Sequence, residues 1–160
     1  MENTKNEFVL GILAELEFFS NVDYESLTKL SALFDERIFE FNDIIFDEGS
    51  LGQSMLVIIS GEVRITQISN NSSEEALIIL KKGDLFGEMA LIEEMPRSAT
   101  AIAHKNCVIL EIKREKFVNF INKNPSIGLK ILWKLTKTLS SRLRETDNKL
   151  KTFINLSQWL

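Results

Sequence analysis

The sequence predicts an α+β fold that is mainly β, in which an antiparallel roll or sandwich lies between short helices and one long helix. Two observations predict it. Apolar residues recur at helical spacing in the first 33 residues, then alternate in short runs through the middle of the chain, and return to helical spacing near the end. Five of the seven glycines lie between residues 49 and 87, where tight reversals between strands need them.

The N-terminal segment predicts two short helices. Apolar residues follow helical spacing from Phe8 to Leu33, and the polar stretch SNVDYES interrupts them. Ser20 or Asn21, and Asp23, are candidate N-caps there, because their side chains can accept hydrogen bonds from the first free backbone N–H groups of a helix.

The middle of the chain predicts many short strands. Each apolar run is bounded by Gly, Asn, Asp or Ser, which is typical of strands joined by tight turns. The runs are DIIFDEGS (43–50), MLVIISG (55–61), EVRITQI (62–68), EALIILKKGD (75–84), TAIA (100–103) and CVILEI (107–112). Strands this short and this closely spaced indicate an antiparallel roll or sandwich.

The C-terminal segment predicts a short helix in REKFVNFINKN (114–124) and then a long one. Asn124 and Pro125 supply its cap and its first-turn proline. We therefore place residues 1–125 in the roll and its flanking helices, and residues 126–160 in a C-terminal helix of the same domain. A seam with alternating steps of four and three runs along this helix: Leu132, Thr136, Leu139, Leu143, Thr146, Leu150, Phe153, Ser157 and Leu160. The seam either covers the roll or pairs with another subunit, and a homodimer through this helix is our hypothesis.

Composition excludes several classes of chemistry. Cys107 is the one cysteine and His104 the one histidine, so the sequence has no disulfide framework and no His or Cys cluster for a transition metal. The N-terminus lacks the pattern of a signal peptide, and no window has the length and apolarity of a membrane span. We therefore expect a cytoplasmic protein with no membrane partner.

Charge is distributed unevenly along the chain. Residues 113–160 carry eleven Lys or Arg and three acidic residues, whereas the first 112 carry eight basic and twenty acidic residues. A basic C-terminal segment can indicate nucleic-acid binding. We favour a helix whose solvated face is rich in lysine, because no second helix pair of the kind that reads DNA is evident.

The stretch FGEMALIEEMPRSATAIA (86–103) predicts a ligand site. A glycine before a short helical turn leaves backbone N–H groups that suit an anion, and Gly87 is placed for that role. Glu88 would repel a highly charged phosphate but can accept from a sugar hydroxyl. Arg97 can grip a singly charged phosphate with its planar fork. The small residues Ser98 to Thr100 allow close approach. A monoanionic phosphate fused to a ribose meets all of these conditions.

This stretch resembles the phosphate-binding cassette of the cyclic nucleotide-binding domain family. The residues F-G-E-M-A-L and P-R-S-A-T fit the family pattern F-G-E-x-A-L…P-R-x-A-T, and FNDIIFDEGSLGQSMLVIISGEVRI (41–65) resembles the family's early strands. The resemblance implies a jelly-roll-like, double-stranded β-roll with N-terminal short helices, a cassette helix and a long C-terminal helix.

The resemblance also implies a set of binding residues. Glu88 would accept the ribose 2′-hydroxyl and Arg97 would pair with the phosphate oxygens. On the segment SSRLRETDNKL (140–150), Thr146 and Asp147 fall where relatives touch the base, and Arg142 would brace Glu88. The complete implied set is Phe86, Gly87, Glu88, Met89, Ala90, Arg97, Ser98, Ala99, Arg142, Thr146 and Asp147.

The implied function is a cyclic-nucleotide sensor rather than an enzyme. Ser98 favours cAMP over cGMP, whereas a carboxylate at Asp147 suits either base, so cGMP stays the second choice. We expect no metal cofactor, signalling through movement of the C-terminal helix, and an unidentified effector protein.

Three alternatives differ in class. A cupin-type metal enzyme is disfavoured by the single histidine. A transcription regulator is disfavoured because a DNA-reading module would follow the long helix and the sequence stops at Leu160, so we expect no direct DNA binding. A degenerate relative would serve as a protein-interaction scaffold or as part of a transcription-regulator complex.

Overall fold

The computed structural model describes residues 2–68 and 74–157. Within them, eight antiparallel strands form two four-stranded sheets that face each other as a roll. The strands are β1 (Phe34–Phe39), β2 (Ile44–Phe46), β3 (Ser54–Ser60), β4 (Glu62–Ile68), β5 (Glu74–Lys81), β6 (Leu85–Phe86), β7 (Thr100–Ala103) and β8 (Cys107–Lys113). One sheet has the order β1-β8-β3-β6 and the other β2-β7-β4-β5. The predicted mainly β, antiparallel roll with flanking helices is therefore confirmed.

Helices lie at both ends of the described chain, and one short helix lies between β6 and β7. They are α1 (Glu2–Glu15), a short 3-10 helix (Glu17–Phe19), α2 (Tyr24–Ser31), α3 (Met89–Ile92), α4 (Arg114–Lys123) and α5 (Pro125–Ser157). Asp23 is the N-cap of α2, since its side chain accepts from Ser26 N at 3.0 Å, and α5 begins at Pro125, as predicted. The two-residue strand β6 was not predicted, because so short a run has no recognisable period.

Two apolar layers share the sheet that contains β3 and β8. Along β8, Cys107 and Ile109 point into the roll, whereas Leu110 and Ile112 point outwards under the helices. Both faces of these strands are therefore buried, which explains why their sequences read as nearly continuous apolar runs. The layer that contains Leu110 and Ile112 fixes the N-terminal helices and the first half of α5 to this sheet. The same sheet contains β6, from which the stretch 86–103 begins.

The part of α5 that packs on the roll differs from the predicted seam. Ile131 and Leu135 are its fully buried residues, whereas the seam positions Leu132 and Thr136 are half-buried and exposed. The face of α5 that packs on the roll therefore lies one residue before the predicted seam, and the seam prediction is wrong for this face. A shift of one residue turns a helix by about 100°. Further along, Leu143 and Leu150 are exposed; the side chains of Phe153 and Ser157, and residue Leu160, lie outside the described residues.

Candidate functional site

The site is built around a sharp reversal between β6 and α3. Gly87 has φ of 68°, a left-handed conformation that glycine adopts without steric cost. A Cβ placed there would lie 2.6 Å from Arg97 Nη1 and 3.1 Å from the carbonyl oxygen of Ser54. Glycine is required at this position both by the backbone and by the close approach of Arg97.

The Arg97 guanidinium is held in place by backbone carbonyls. Nη1 donates to the oxygen of Gly87 at 3.0 Å, and Nη2 donates to the oxygen of Ser54 at 2.9 Å. Its Cζ lies 4.1 Å from the centroid of the Phe46 ring, a cation–π contact. Nε is buried and has no hydrogen-bond partner among the residues described, so the guanidinium keeps unused donor capacity. Burial lowers the pKa of Arg97, while the carboxylates of Glu111 and Glu88 act in the opposite direction.

The backbone of Arg97 is fixed by the loop that precedes β3. Arg97 N donates to the carbonyl oxygen of Ser50, and Gly49 N donates to the carbonyl oxygen of Arg97, both at 2.8 Å. Leu51 and Pro96 form an isolated bridge beside them. One loop, residues 49–51, therefore holds the backbone of Arg97 at both its N–H and its carbonyl oxygen, and fixes the arginine although it lies outside a strand.

Glu88 is a buried carboxylate with a charged partner. It is 3% exposed, and Arg142 Nη1 on α5 donates to its Oε1 at 2.6 Å. Arg142 Nη2 also donates to the carbonyl oxygen of Leu85 at 2.5 Å. A carboxylate in this setting needs a cation or hydrogen-bond donors to offset its desolvation, and Arg142 supplies both.

These residues line a cavity of about 800 Å³ between the roll and α5. That volume falls within the range of small-molecule sites in proteins, which is about 300–1,000 Å³. Arg97 and Glu88 both line the cavity, and apolar side chains of the second sheet form a wall, among them Phe46, Ile65, Leu77, Ile78 and Leu80. The arrangement offers a cation for a phosphate, a carboxylate for a hydroxyl and an apolar wall for a flat ring.

Ten of the eleven residues of the implied set line this cavity. They are Phe86, Gly87, Glu88, Met89, Ala90, Arg97, Ser98, Ala99, Arg142 and Thr146. Asp147 is exposed and lies outside the lining set. At 100° per residue, a position five after Arg142 is turned about 140° away from it, so the two cannot share one face of α5. The contact of Asp147 with a base stays a prediction.

The cavity includes α5 residues that the sequence reasoning missed. Thr138, Ser141, Glu145 and Lys149 join Arg142 and Thr146 on the lining face. Thr138, Glu145 and Lys149 lie four residues before, three after and seven after Arg142, a helical spacing that could have found them; Ser141 is next to Arg142. The wall residues on β4 and β5 gave no such signal, because a strand residue that faces a ligand has the same apolar character as one that faces the core.

Within residues 2–68 and 74–157, no group of three or more His, Cys, Asp or Glu side chains lies close enough to hold a metal ion. None of the helices over the same residues has the length and apolarity needed to cross a membrane.

Residues 36–124 match the sequence profile of the cyclic nucleotide-binding domain. The chain belongs to the cyclic nucleotide-binding domain family. The matched residues contain the whole stretch that joins Gly87, Glu88 and Arg97, and the family resemblance stated from the sequence is confirmed.

Curated relatives of this cyclic nucleotide-binding domain include a cyclic AMP receptor protein and a cGMP-dependent protein kinase. The cyclic AMP receptor protein of Thermus thermophilus is 33% identical over 132 residues, which cover 82% of this chain and 59% of the relative. Human cGMP-dependent protein kinase 2 is 30% identical over 158 residues, covering 97% of this chain and 20% of the kinase. The chain thus spans less than two thirds of the length of either relative.

Solved structures share the fold. A cyclic nucleotide-binding domain from Methylobacillus flagellatus KT superposes with a TM-score of 0.78 at 25% identity, covering 90% of this chain and 81% of that one. The catabolite activator protein of Thermus thermophilus superposes with a TM-score of 0.75 at 32% identity, covering 85% and 62%.

Proposed function

We propose that this domain binds cAMP in the cavity between the roll and α5, and that it transmits binding without catalysing a reaction. The observation that carries the proposal is the convergence of Arg97, Glu88 and Arg142 on one cavity, where a cation and a hydroxyl acceptor lie under a long helix. A singly charged cyclic phosphate fused to a ribose has the matching groups.

The preference for cAMP rests on Ser98, the residue after Arg97. Ser98 is exposed and lines the cavity, and its carbonyl oxygen accepts from Gln67 Nε2 at 2.7 Å, so its backbone is fixed beside the phosphate-binding arginine. The relatives named above include a cyclic AMP receptor and a cGMP-dependent kinase, so the choice of base has to be measured.

The proposed signal passes through α5. Arg142 ties this helix to Glu88, and Thr138, Glu145 and Lys149 line the cavity from the same helix. A ligand that contacts both the roll and α5 would favour one position of the helix by its difference in affinity for the two positions. The second half of α5 would carry that change to an effector protein.

We further propose that α5 pairs with α5 of a second copy of the chain. Leu143 is 62% exposed and Leu150 is 56% exposed, seven residues apart on one face, and Ile154 is also exposed. An apolar face repeated at this interval is typical of a helix that packs against another helix. Such a homodimer would place the two signalling helices side by side.

The direct test is isothermal titration of nucleotide-stripped protein with cAMP and, separately, with cGMP. We expect a dissociation constant in the micromolar range or tighter for cAMP, about −8 kcal/mol or more, and weaker binding of cGMP. 2′-Deoxy-cAMP is the matched control, because it lacks the hydroxyl proposed for Glu88 and should bind more weakly. Absence of heat with both nucleotides, in protein shown to be folded, would contradict the proposal and favour the scaffold alternative.

A further inference from the structure

The turn that follows Arg97 carries two backbone N–H groups that the described protein leaves unbonded. Ser98 and Ala99 both line the cavity, next to the guanidinium proposed for the phosphate. Within residues 2–68 and 74–157, neither Ser98 N nor Ala99 N donates to a backbone or side-chain acceptor. Ala99 is also buried, at 8% exposure, and proteins seldom leave an N–H group in such a place without a partner. Two adjacent free N–H groups beside an arginine suit an anion, provided that their direction is fixed.

Both ends of this turn are fixed by the loop that precedes β3. Gly49 N donates to the carbonyl oxygen of Arg97 at 2.8 Å, and Glu48 N donates to Thr100 Oγ1 at 2.9 Å. Neither bond reaches the peptide group in the middle of the turn. That peptide can therefore rotate while the two ends stay in place, and rotation would exchange the positions of its N–H and its C=O.

A side chain on β4 holds the middle of the turn. Gln67 Nε2 donates to the carbonyl oxygen of Ser98 at 2.7 Å. A peptide group is planar and rigid, so this bond also fixes the N–H of Ala99, which belongs to the same plane. The bond has a second effect, because a carbonyl oxygen that lacks a donor repels a nearby phosphate through its partial negative charge. Gln67 itself lies outside the set of described residues that line the cavity.

We propose that Gln67 is a positioning residue for the phosphate site: its side-chain amide holds the peptide between Ser98 and Ala99 in the orientation from which the Ala99 N–H binds a phosphate oxygen. For its effect on affinity this role rests on the proposed function, and for its effect on the peptide it rests on the hydrogen bond alone. Gln67 acts through the turn and makes no contact of its own with the nucleotide.

Water competes with Gln67 for the Ser98 carbonyl. Both residues are exposed, so a water molecule can take the place of the side-chain amide when it is removed. The free energy of unfolding should therefore change little. A mobile water does not fix the plane of a peptide, so we expect the loss to affect the orientation of the turn and the recognition of the phosphate.

The experiment compares three variants of the full chain with the parent protein. Gln67→Met removes the donor at nearly the same side-chain length, and Gln67→Lys keeps a donor. Gln53→Met is the matched control, because Gln53 is also an exposed glutamine outside the cavity lining.

Two measurements are made on each protein. Without nucleotide, the ¹³C′ shift of Ser98 and the ¹H–¹⁵N signal of Ala99 report the orientation and exchange of the peptide. Isothermal titration then uses the two phosphorothioate diastereomers of the preferred cyclic nucleotide, in which sulfur replaces one or the other exocyclic oxygen. Sulfur is a weaker acceptor than oxygen, so a correctly held N–H group discriminates between the two diastereomers.

We expect Gln67→Met to bind the preferred nucleotide about three- to tenfold more weakly, the effect of losing one hydrogen bond, and to lose most of the parent's preference between the diastereomers. The Ala99 amide signal should shift or broaden in this variant. Gln67→Lys should restore the preference, whatever its added charge does to the absolute affinities. Gln53→Met should match the parent in every value.

An unchanged preference between the diastereomers in Gln67→Met would overturn this role of Gln67, as would an unchanged Ala99 signal. Equal affinity of the parent for the two diastereomers would do so too, because no oriented donor would then select between the oxygens. Equal weakening of both diastereomers that Gln67→Lys does not restore would mark a merely structural role. If the parent binds neither cAMP nor cGMP, the proposed function fails, and the Ser98 and Ala99 signals of Gln67→Met still decide whether Gln67 holds the peptide.

Discussion

The guanidinium of Arg142 donates to the carboxylate of Glu88 at 2.6 Å, although the two residues are 54 positions apart. The Glu88 side chain is 4% exposed and that of Arg142 is 41% exposed, so the pair lies at the boundary between the cavity and solvent. The contact joins α5 to the turn that carries Gly87 and Glu88. If α5 shifts, either the turn shifts with it or the ion pair breaks.

Arg142→Ala is expected to loosen α5. It leaves the buried Glu88 carboxylate without its cation, so the free energy of unfolding should fall by about 1–3 kcal/mol, and amide hydrogen exchange in residues 143–155 should accelerate. Arg144→Ala is the matched control, because Arg144 is an exposed arginine of the same helix that donates to Ser140 Oγ at 3.4 Å. Equal exchange in the two variants would show that the ion pair does not hold the helix.

Arg97→Ala is expected to weaken nucleotide binding by about 2–5 kcal/mol, since it removes charge-assisted hydrogen bonds to a poorly solvated phosphate. The measurement is isothermal titration with the preferred nucleotide, with circular dichroism to show that the variant is folded. Arg64→Ala serves as the control, because Arg64 lies on β4 outside the cavity lining. Binding of Arg97→Ala as tight as that of the parent would contradict the assignment of the phosphate site.

Gly87→Ala is expected to lower stability and nucleotide affinity by more than its backbone strain alone explains. Gly87 and Gly49 both have positive φ, 68° and 78°, and alanine at either position should cost about 1–2 kcal/mol of stability. An added Cβ meets Arg97 Nη1 at 2.6 Å at Gly87, whereas nothing lies within 4 Å at Gly49. Chemical denaturation should therefore show a larger loss for Gly87→Ala, and titration should show weaker binding. If Gly87→Ala and Gly49→Ala lost equal stability and equal affinity, the Arg97 side chain would be able to move away from the added Cβ without cost.

Glu111 is expected to make stability depend on pH in the acid range. Burial acts to raise the pKa of Glu111, but hydrogen bonds from Lys113 and Ser54 and the charges of Lys113 and Arg37 together lower it below the ordinary value of 4.5. A group whose pKa is lower in the folded state stabilises the protein above its unfolded pKa, and this stabilisation is lost as the pH falls through the folded pKa.

Urea unfolding of the parent and of Glu111→Gln from about pH 6 to about pH 3 tests this expectation. The parent should lose more free energy of unfolding over that interval, because the glutamine cannot take up a proton. Parallel pH profiles of the parent and Glu111→Gln would show that folding does not favour the ionised form of Glu111. Glu62→Asp, which keeps a carboxylate on β4, is a variant whose profile should follow that of the parent.

Leu143→Glu combined with Leu150→Glu is expected to convert a homodimer into a monomer, because a carboxylate cannot be buried in an apolar helix pair without a partner. Sedimentation equilibrium at several protein concentrations measures the change. Lys151→Glu is the control at an exposed polar position of the same helix. A parent protein that is monomeric at all concentrations would contradict the dimer, while leaving the nucleotide site unaffected.

The sequence by itself determined the fold class and pointed to the stretch around Gly87 and Arg97 that lines the cavity. Short apolar runs bounded by turn residues predicted the strands of the roll, and Asn124 and Pro125 predicted the start of α5. Gly87, Glu88 and Arg97 were identified because each belongs to one continuous stretch, where the required backbone conformation, the acceptor and the cation leave a local mark on the sequence.

Only the tertiary structure decided which residues of distant segments meet. The face of α5 that lies on the cavity, the exposure of Asp147, and the contact of Ser54 on β3 with Arg97 depend on helix rotation and on strand register. A shift of one residue turns a helix by about 100° and moves a strand's side chains to the opposite face of the sheet. Such offsets are set by the packing of whole elements, and the apolar period of a single segment does not determine them to one residue.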